Sequence, residues 1–319
     1  MCDSKRIKLQ TEAEDFDYHT SIRVDKGFIP DLRNLQKVTW FYNNPWREPE
    51  FAEIRWVPVL RSFVEKCAES GGSVLEVGCG HGMLSLELAR ANLNVVGVDL
   101  SPKAIEIAEK FKNKNRVTKN FGCLKYICCD FSDLDLMGDS FDNVVFFRSL
   151  HHFPNLVEVI EKVHSLLKAD GNILFCEPIH NKFDHRAAEF ALILRSVLPT
   201  WKSYKSKLDR EWNTELWRGM VDDIYKEYVY EDEHHQSAMD KSTDSDEVIL
   251  AALKPYFEIE YLRYHDAFIN HIIGGLRGVS RFVLAKFLQF LDDYMVENSM
   301  LPPTSMTLFG KKKMIPRVK

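Results

Sequence analysis

The chain has 319 residues, 45% hydrophobic and 28% charged, with 42 Lys plus Arg against 47 Asp plus Glu and a net charge of −5. That length fits about two domains or one large domain with insertions, and the composition excludes disordered, collagen-like and disulfide-framework chains. The mildly acidic balance argues against a nucleic-acid binder held mainly by phosphate contacts.

Residues 1–20 are polar and acidic (Glu12, Glu14, Asp15, Asp17) and are expected to be mobile. No apolar h-region marks a secretory signal, and Lys5-Arg6-Ile7-Lys8 is a short basic run that also reads as a nuclear address. Trp40 to Pro49 is aromatic and Pro-containing. Pro58 to Glu69 follows as a helix, with Val59, Leu60, Phe63, Val64 and Cys67 on one face.

After Gly71-Gly72 the pattern changes to strand–helix alternation. Ser73–Val77 is an apolar strand that runs into Gly78-Cys79-Gly80-His81-Gly82, and Met83–Ala91 is helical. Asn94–Val98 is β-branched and ends at Asp99. Ser101-Pro102 opens a helix, with Ser at the N-cap, Pro in the first turn and a stripe of Ala104, Ile105, Ala108 and Phe111. Leu124–Cys129 is a third strand ending at Asp130, and Phe141–Phe147 a fourth. Pro154–Leu167 is a helix, Asp170-Gly171 a turn, and Asn172–Cys176 a fifth strand. Repeated β-α-β units with near-continuous apolar strands imply an α/β, doubly wound, mostly parallel sheet covered on both faces. Ligands bind such sheets at the carboxyl ends of the strands.

Beyond the fifth strand, Phe183–Leu198 reads as a helix. Thr200–Tyr230 is rich in Trp, Tyr and charge, and Glu231–Glu247 is polar, with a helix start at Ser245-Asp246-Glu247. Pro255–Arg263 and Thr304–Lys311 read as strands. Ala267–Leu291 carries Phe268, Ile272, Leu276, Val279, Phe282, Val283, Phe287 and Phe290 at helical spacing. Charges and glycines break it well short of the roughly 18 apolar residues of a membrane span. It reads as one or two helices packed on the core, or as a surface that meets lipid. The seven cysteines include no CxxC pair, which fits reduced thiols in a cytoplasmic protein.

Chemistry concentrates at the glycine turn. Glycines let the backbone bend sharply and approach a ligand closely. Asp99 lies 17 residues after Gly82 at the tip of the next strand, where a carboxylate can accept both hydroxyls of a ribose. Glu76, Asp99 and Asp130 all fall on one edge of the sheet. Glu76, two residues before the first glycine, would repel a pyrophosphate but suits a ligand with an ammonium and a sulfonium. A dinucleotide enzyme wants G-x-G-x-x-G, whereas this chain has G-x-G-x-G.

On these residues, Val74 to Pro178 resembles a class I S-adenosylmethionine-dependent methyltransferase of the small-molecule group that includes the quinone-biosynthesis C-methyltransferases. The resemblance implies a seven-stranded Rossmann-like sheet and S-adenosyl-L-methionine as cofactor. It places Glu76, Gly78, Cys79 and Gly80 along the methionine part of the cofactor and Asp99 with Leu100 at the ribose. Asp130 would meet the adenine amino group, with Phe131 beside the ring, and Arg148 to His152 would border the methyl group. Leu167-Lys168-Ala169-Asp170-Gly171 matches the family's usual turn before the fifth strand.

His151 and His152 are candidate general bases, since imidazole titrates near neutral pH, and Glu177 is a second candidate for contacting the acceptor. His180, Asp184 and His185 lack a strong metal spacing, so no metal is expected, and His234-His235 reads as solvated. Trp40, Tyr42, Trp46, Trp201, Tyr204, Trp212 and Trp217 either line an apolar or sugar-stacking pocket or pack in the core.

The expected organisation is an N-terminal aromatic and helical cap (1–70), a cofactor-binding core (71–180), a helical and loop insertion (181–254), and last strands carrying a helical insertion at 264–303. In the minimal family pattern a short hairpin joins the last two strands. Here both insertions begin over the active-site edge, and with the N-terminal segment they are expected to form one lid. The leading function is methyl transfer to a small-molecule, lipid-like or glycan acceptor, with no nucleic-acid partner and no membrane span. Peripheral membrane contact and the oligomeric state stay open. An NAD-type oxidoreductase and a non-catalytic cofactor-binding scaffold are the alternatives.

Overall fold

Seven strands form one sheet in the order β3-β2-β1-β4-β5-β7-β6. They are β1 (Ser73–Val77), β2 (Asn94–Asp99), β3 (Leu124–Cys128), β4 (Phe141–Phe147), β5 (Leu167–Pro178), β6 (Phe257–His265) and β7 (Ser305–Lys312). β1 to β5 are mutually parallel, while β7 runs antiparallel to both β5 and β6. The computed structural model describes residues 2–115, 120–201, 211–229, 239 and 245–314.

The chain runs outward from β1 through β2 to β3, then returns to pair β4 on the other side of β1. That reversal leaves a crevice at the carboxyl ends of β1 and β4, where open α/β sheets bind ligands. The central strands are buried on both faces, which explains their unbroken apolar runs: Val74, Leu75, Val144, Val145, Phe146, Ile173, Leu174 and Phe175 are all fully buried. One face carries α3 (Val57–Ser70), α4 (Met83–Arg90) and α5 (Pro102–Asn115); the other carries α6 (Leu156–Leu166). On α5 Ala104, Ile107 and Ala108 are buried, and the expected stripe residue Ile105 is partly buried and packs on the same cluster as Ala108.

Asp170-Gly171 is not a separate turn. It lies inside β5, where the register against β4 slips between the pairs Phe141–Leu167 and Asn143–Asn172. The expected mobile N-terminus is also corrected. Cys2–Asp25 forms a 24-residue helix, α1, whose Asp17 accepts hydrogen bonds from Ser101 Oγ and from Lys103 N at 3.0 Å. Its residues carry no continuous apolar stripe, so tertiary bonds to α5 hold it where periodicity gives no signal.

A third apolar cluster sits beside the sheet. It combines α7 (His185–Val197), α8 (Thr214–Tyr228), residues 267–276 and α10 (Arg281–Glu297) with Phe51 of α2 (Pro49–Arg55). A buried ion pair between Arg55 and Asp266 and a 2.9 Å pair between Arg281 and Glu48 tie it to the N-terminal segment. α9 (Asp246–Leu253) instead packs with α6 in the sheet core. No helix among the described residues is long and apolar enough to cross a membrane.

Candidate active site

The turn after β1 needs glycine. Gly78, Gly80 and Gly82 have φ of +71°, +52° and +77°, the left-handed region that L side chains rarely adopt. A Cβ at Gly78 would stand 2.4 Å from Ser149 Cβ, so the turn after β1 lies directly against the turn after β4. At Gly80, by contrast, a Cβ would point into open space. Asp99, at the tip of β2, accepts from Gly80 N at 2.7 Å and from Ser101 N at 2.9 Å. It therefore fixes both the glycine turn and the start of α5. Asp130, after β3, accepts from Ser132 N at 2.9 Å.

Glu76, Asp99 and Asp130 all line one cavity of about 920 Å³. That is at the upper end of the roughly 300–1,000 Å³ typical of small-molecule sites. Gly78, Cys79, Gly80, Leu100, Phe131 and Arg148 line it too, so every residue proposed for the cofactor faces the same space. Burial pushes the Glu76 carboxyl up to about 8, against the opposing pull of the hydrogen bond from Ser85 Oγ. Burial raises Asp99 as well, opposed by its two backbone bonds. His81, whose Nδ1 has no hydrogen-bond partner among the described residues, is held neutral by burial, down to about 3. Acidic side chains in a partly dry space await a cation and donors, which fits a ligand bearing an ammonium, a sulfonium and ribose hydroxyls.

The turn after β4 is built on Glu177. This fully buried carboxylate accepts from Ser149 N at 2.9 Å, Leu150 N at 3.0 Å and His151 N at 3.4 Å, and it pairs with His151 Nδ1 at 2.7 Å. Neither Glu177 nor His151 is among the residues that line the cavity. Glu177, expected to contact the acceptor, lies beneath the turn instead, with both oxygens bonded to the Ser149–His151 backbone and the His151 ring. His152 does line the cavity. Its Nδ1 lies 2.8 Å from Glu12 Oε1, and its ring lies 4.0 Å from that of His151. Glu12, itself buried, also accepts from Met239 N at 2.6 Å.

Sequence reading missed Glu12 because it belongs to α1, an acidic helix with no motif. α1 roofs the cavity with Leu9, Glu12, Phe16, Thr20 and Arg23. The lid is thus divided. The N-terminal segment covers the site, and of the two insertions' described residues only Met239 reaches it, while α7, α8, residues 267–276 and α10 pack on one another and α9 packs on α6.

Of the described residues of the expected aromatic pocket, only Trp46 lines the cavity. Tyr42 stacks on Trp201 with centroids 6.1 Å apart, Trp212 meets Trp217 edge-on, and Trp40 packs on Phe41. Phe28, Phe41, Leu60 and Phe147 add to the apolar wall, and none of them belongs to a recognisable motif. Arg148 sits at φ +56° with its guanidinium 5.3 Å from the Trp56 ring. Asp184 caps α7 and His185 pairs with Asp222 at 3.1 Å. Tyr204, His234 and His235 lie outside the described residues.

Known proteins agree with this geometry. A family described as a methyltransferase domain matches residues 68–231, just over half of the chain. A ubiquinone biosynthesis O-methyltransferase of Actinobacillus pleuropneumoniae is 29% identical over 135 residues, covering 41% of this chain and 58% of that one. Its counterpart in Haemophilus ducreyi is 33% identical over 140 residues, covering 42% and 59%. The chain therefore spans less than two thirds of the length of these curated relatives. The solved structure of the cyclase SpnF shares the fold across 97% of both chains, with a TM-score of 0.53 and 14% identity. The glycine turn and acidic rim of this site, together with the family match, make the chain a member of the class I S-adenosylmethionine-dependent methyltransferases.

Proposed function

We propose that this chain methylates a hydroxyl group of a small, largely apolar or aromatic acceptor, using S-adenosylmethionine. The observation that carries the reading is the His152–Glu12 pair at the cavity wall, 2.8 Å apart. A proton acceptor is needed when the attacking atom must lose a proton, as a hydroxyl does, and such a group typically adds about 10²–10⁴-fold. The relatives named as O-methyltransferases support an oxygen acceptor.

When bound, the cofactor supplies a methyl group on a positively charged sulfur. The chain's own residues do the rest. Glu76 and the backbone of Gly78 to Gly80 hold the amino-acid end, Asp99 with Leu100 takes the ribose, and Asp130 with Phe131 takes the adenine. Arg148, beside Trp56, supplies the only cation proposed for the cofactor and takes the carboxylate. Trp46, Phe41, Leu60 and Phe147 form an apolar wall for the acceptor. The pairing of its Nδ1 with Glu12 orients the His152 ring at the cavity wall, where the imidazole is the proposed acceptor of the hydroxyl proton. α1 excludes water from the closed site. Positioning of this kind is worth about 7–11 kcal/mol. We also propose the division into an N-terminal cap (1–70), a cofactor core (71–180) and two insertions as the working domain plan.

The test supplies methyl-labelled S-adenosylmethionine with a panel of phenols, quinols, long-chain alcohols, glycans and amines. Label should appear on hydroxyl oxygen. His152→Ala should lower kcat by about 10²–10³-fold while leaving affinity for S-adenosylhomocysteine within about twofold. Label found only on nitrogen or carbon, or an unimpaired His152→Ala enzyme, would sink the reading.

A further inference from the structure

α10 carries an apolar stripe on its outer face. Val283 is 72% exposed, Phe287 56%, Phe290 63% and Tyr294 47%, while Ala285, Leu288 and Asp292 on the opposite face are buried. The spacing of the exposed four alternates 4, 3, 4, which keeps them in one line along the helix. Contiguous exposed apolar surface of this kind marks an interaction site.

The stripe is complementary to itself. A two-fold axis crossing α10 between Leu288 and Gln289 sets Phe287 against Phe290 of a second copy, and Val283 against Tyr294 of that copy. Aromatic meets aromatic at the centre. One rim of the stripe carries Lys286 and Asp293. The same axis brings Lys286 beside Asp293 of the second copy, twice over, where it joins the Arg263 that already pairs with Asp293 at 2.9 Å within each chain. Just beyond the two ends of the helix, Val279 at 97% exposure and Met300 at 50% are brought together in the same way. The other rim carries the half-buried Leu284 and Leu291. A parallel pairing would set Lys286 against Lys286 and Asp293 against Asp293.

An anionic lipid surface fits less well. On this helix the rim is not basic, since Asp293 and Glu297 at one end offset Lys286. We infer that α10 is the seam of a symmetric homodimer, in which two copies of the helix pack antiparallel through Val283, Phe287, Phe290 and Tyr294. A closed two-fold interface of this type uses the same patch on both subunits. One helix seam lies at the small end of specific interfaces, so the dimer should dissociate at about micromolar concentration.

The test is sedimentation equilibrium of the full chain across roughly 0.1–100 µM, a range bracketing that value. The wild type should approach twice the 37.1 kDa of one chain. Phe290→Asp should sediment as a monomer throughout, with S-adenosylhomocysteine binding retained to show that it folds. Lys286→Asp, which sets two like charges beside Asp293 of the other copy, should raise the dissociation constant about tenfold. A wild type that is monomeric at the highest concentration overturns the inference, whether or not it binds phosphatidylglycerol vesicles. A dimer indifferent to Phe290→Asp overturns it equally, because the contact then lies on another face.

Discussion

Glu76 offers the sharpest quantitative test. In the free protein, burial holds its carboxyl near 8, so at pH 7 it is about ten-to-one protonated. An ammonium group brought against it favours the ionised form. Binding of S-adenosylhomocysteine, whose amino-acid end carries that ammonium, must therefore expel close to one proton at pH 7. Ionising Glu76 costs about 1.4 kcal/mol at that pH, and the cost grows by the same amount for each unit of acidification. The sign follows directly: the free state holds the extra proton, so affinity should rise about tenfold from pH 6 to pH 7 and level off above pH 8. Titration calorimetry in phosphate and in Tris at pH 7 reads the proton through the difference in buffer ionisation heat. Glu76→Gln should abolish the buffer dependence. A wild-type enthalpy equal in both buffers, or a flat affinity between pH 6 and 7, would refute the placement of an ammonium at Glu76.

Asp17 ties α1 to the start of α5. Asp17→Ala should loosen the roof by about 1–2 kcal/mol and speed amide exchange across Leu9–Arg23 about tenfold, read by mass spectrometry. Gly78→Ala forces a Cβ into Ser149 in a left-handed backbone. It should cost roughly 2–4 kcal/mol and lower the unfolding midpoint by about 5–10 °C. Glu177→Gln keeps one acceptor oxygen for the turn but loses the second, at His151. It should cost about 1–3 kcal/mol and lower kcat with little change in cofactor affinity. A variant as active and stable as the wild type would remove Glu177 from the positioning role.

The sheet and its ligand edge were legible because their signals are local. Buried parallel strands read as unbroken apolar runs, and a glycine turn with acidic strand tips reads as a site, since few other residues tolerate that backbone. What escaped was the part held by long-range contacts. Glu12 and Asp17 look like solvated charges in an acidic helix, and the residues that engage them, His152 and Met239 for the first and Ser101 and Lys103 for the second, lie far along the chain. Glu177 stands at a strand end like a surface residue, yet the turn above it folds back to bury it. Periodicity grouped Val283, Phe287 and Phe290 on one face, but it does not tell which face meets the core. Phe268, Ile272 and Leu276, from the same run, are buried.

One consequence of the α1 roof concerns timing. The helix that encloses the cavity is also the helix that brings Glu12 to His152. Under the proposed function, a release of spent cofactor past α1 would also draw Glu12 away from His152. The proposed dyad would then be dismantled and rebuilt in every cycle. The clock of the enzyme would be set by the coming and going of its first 25 residues.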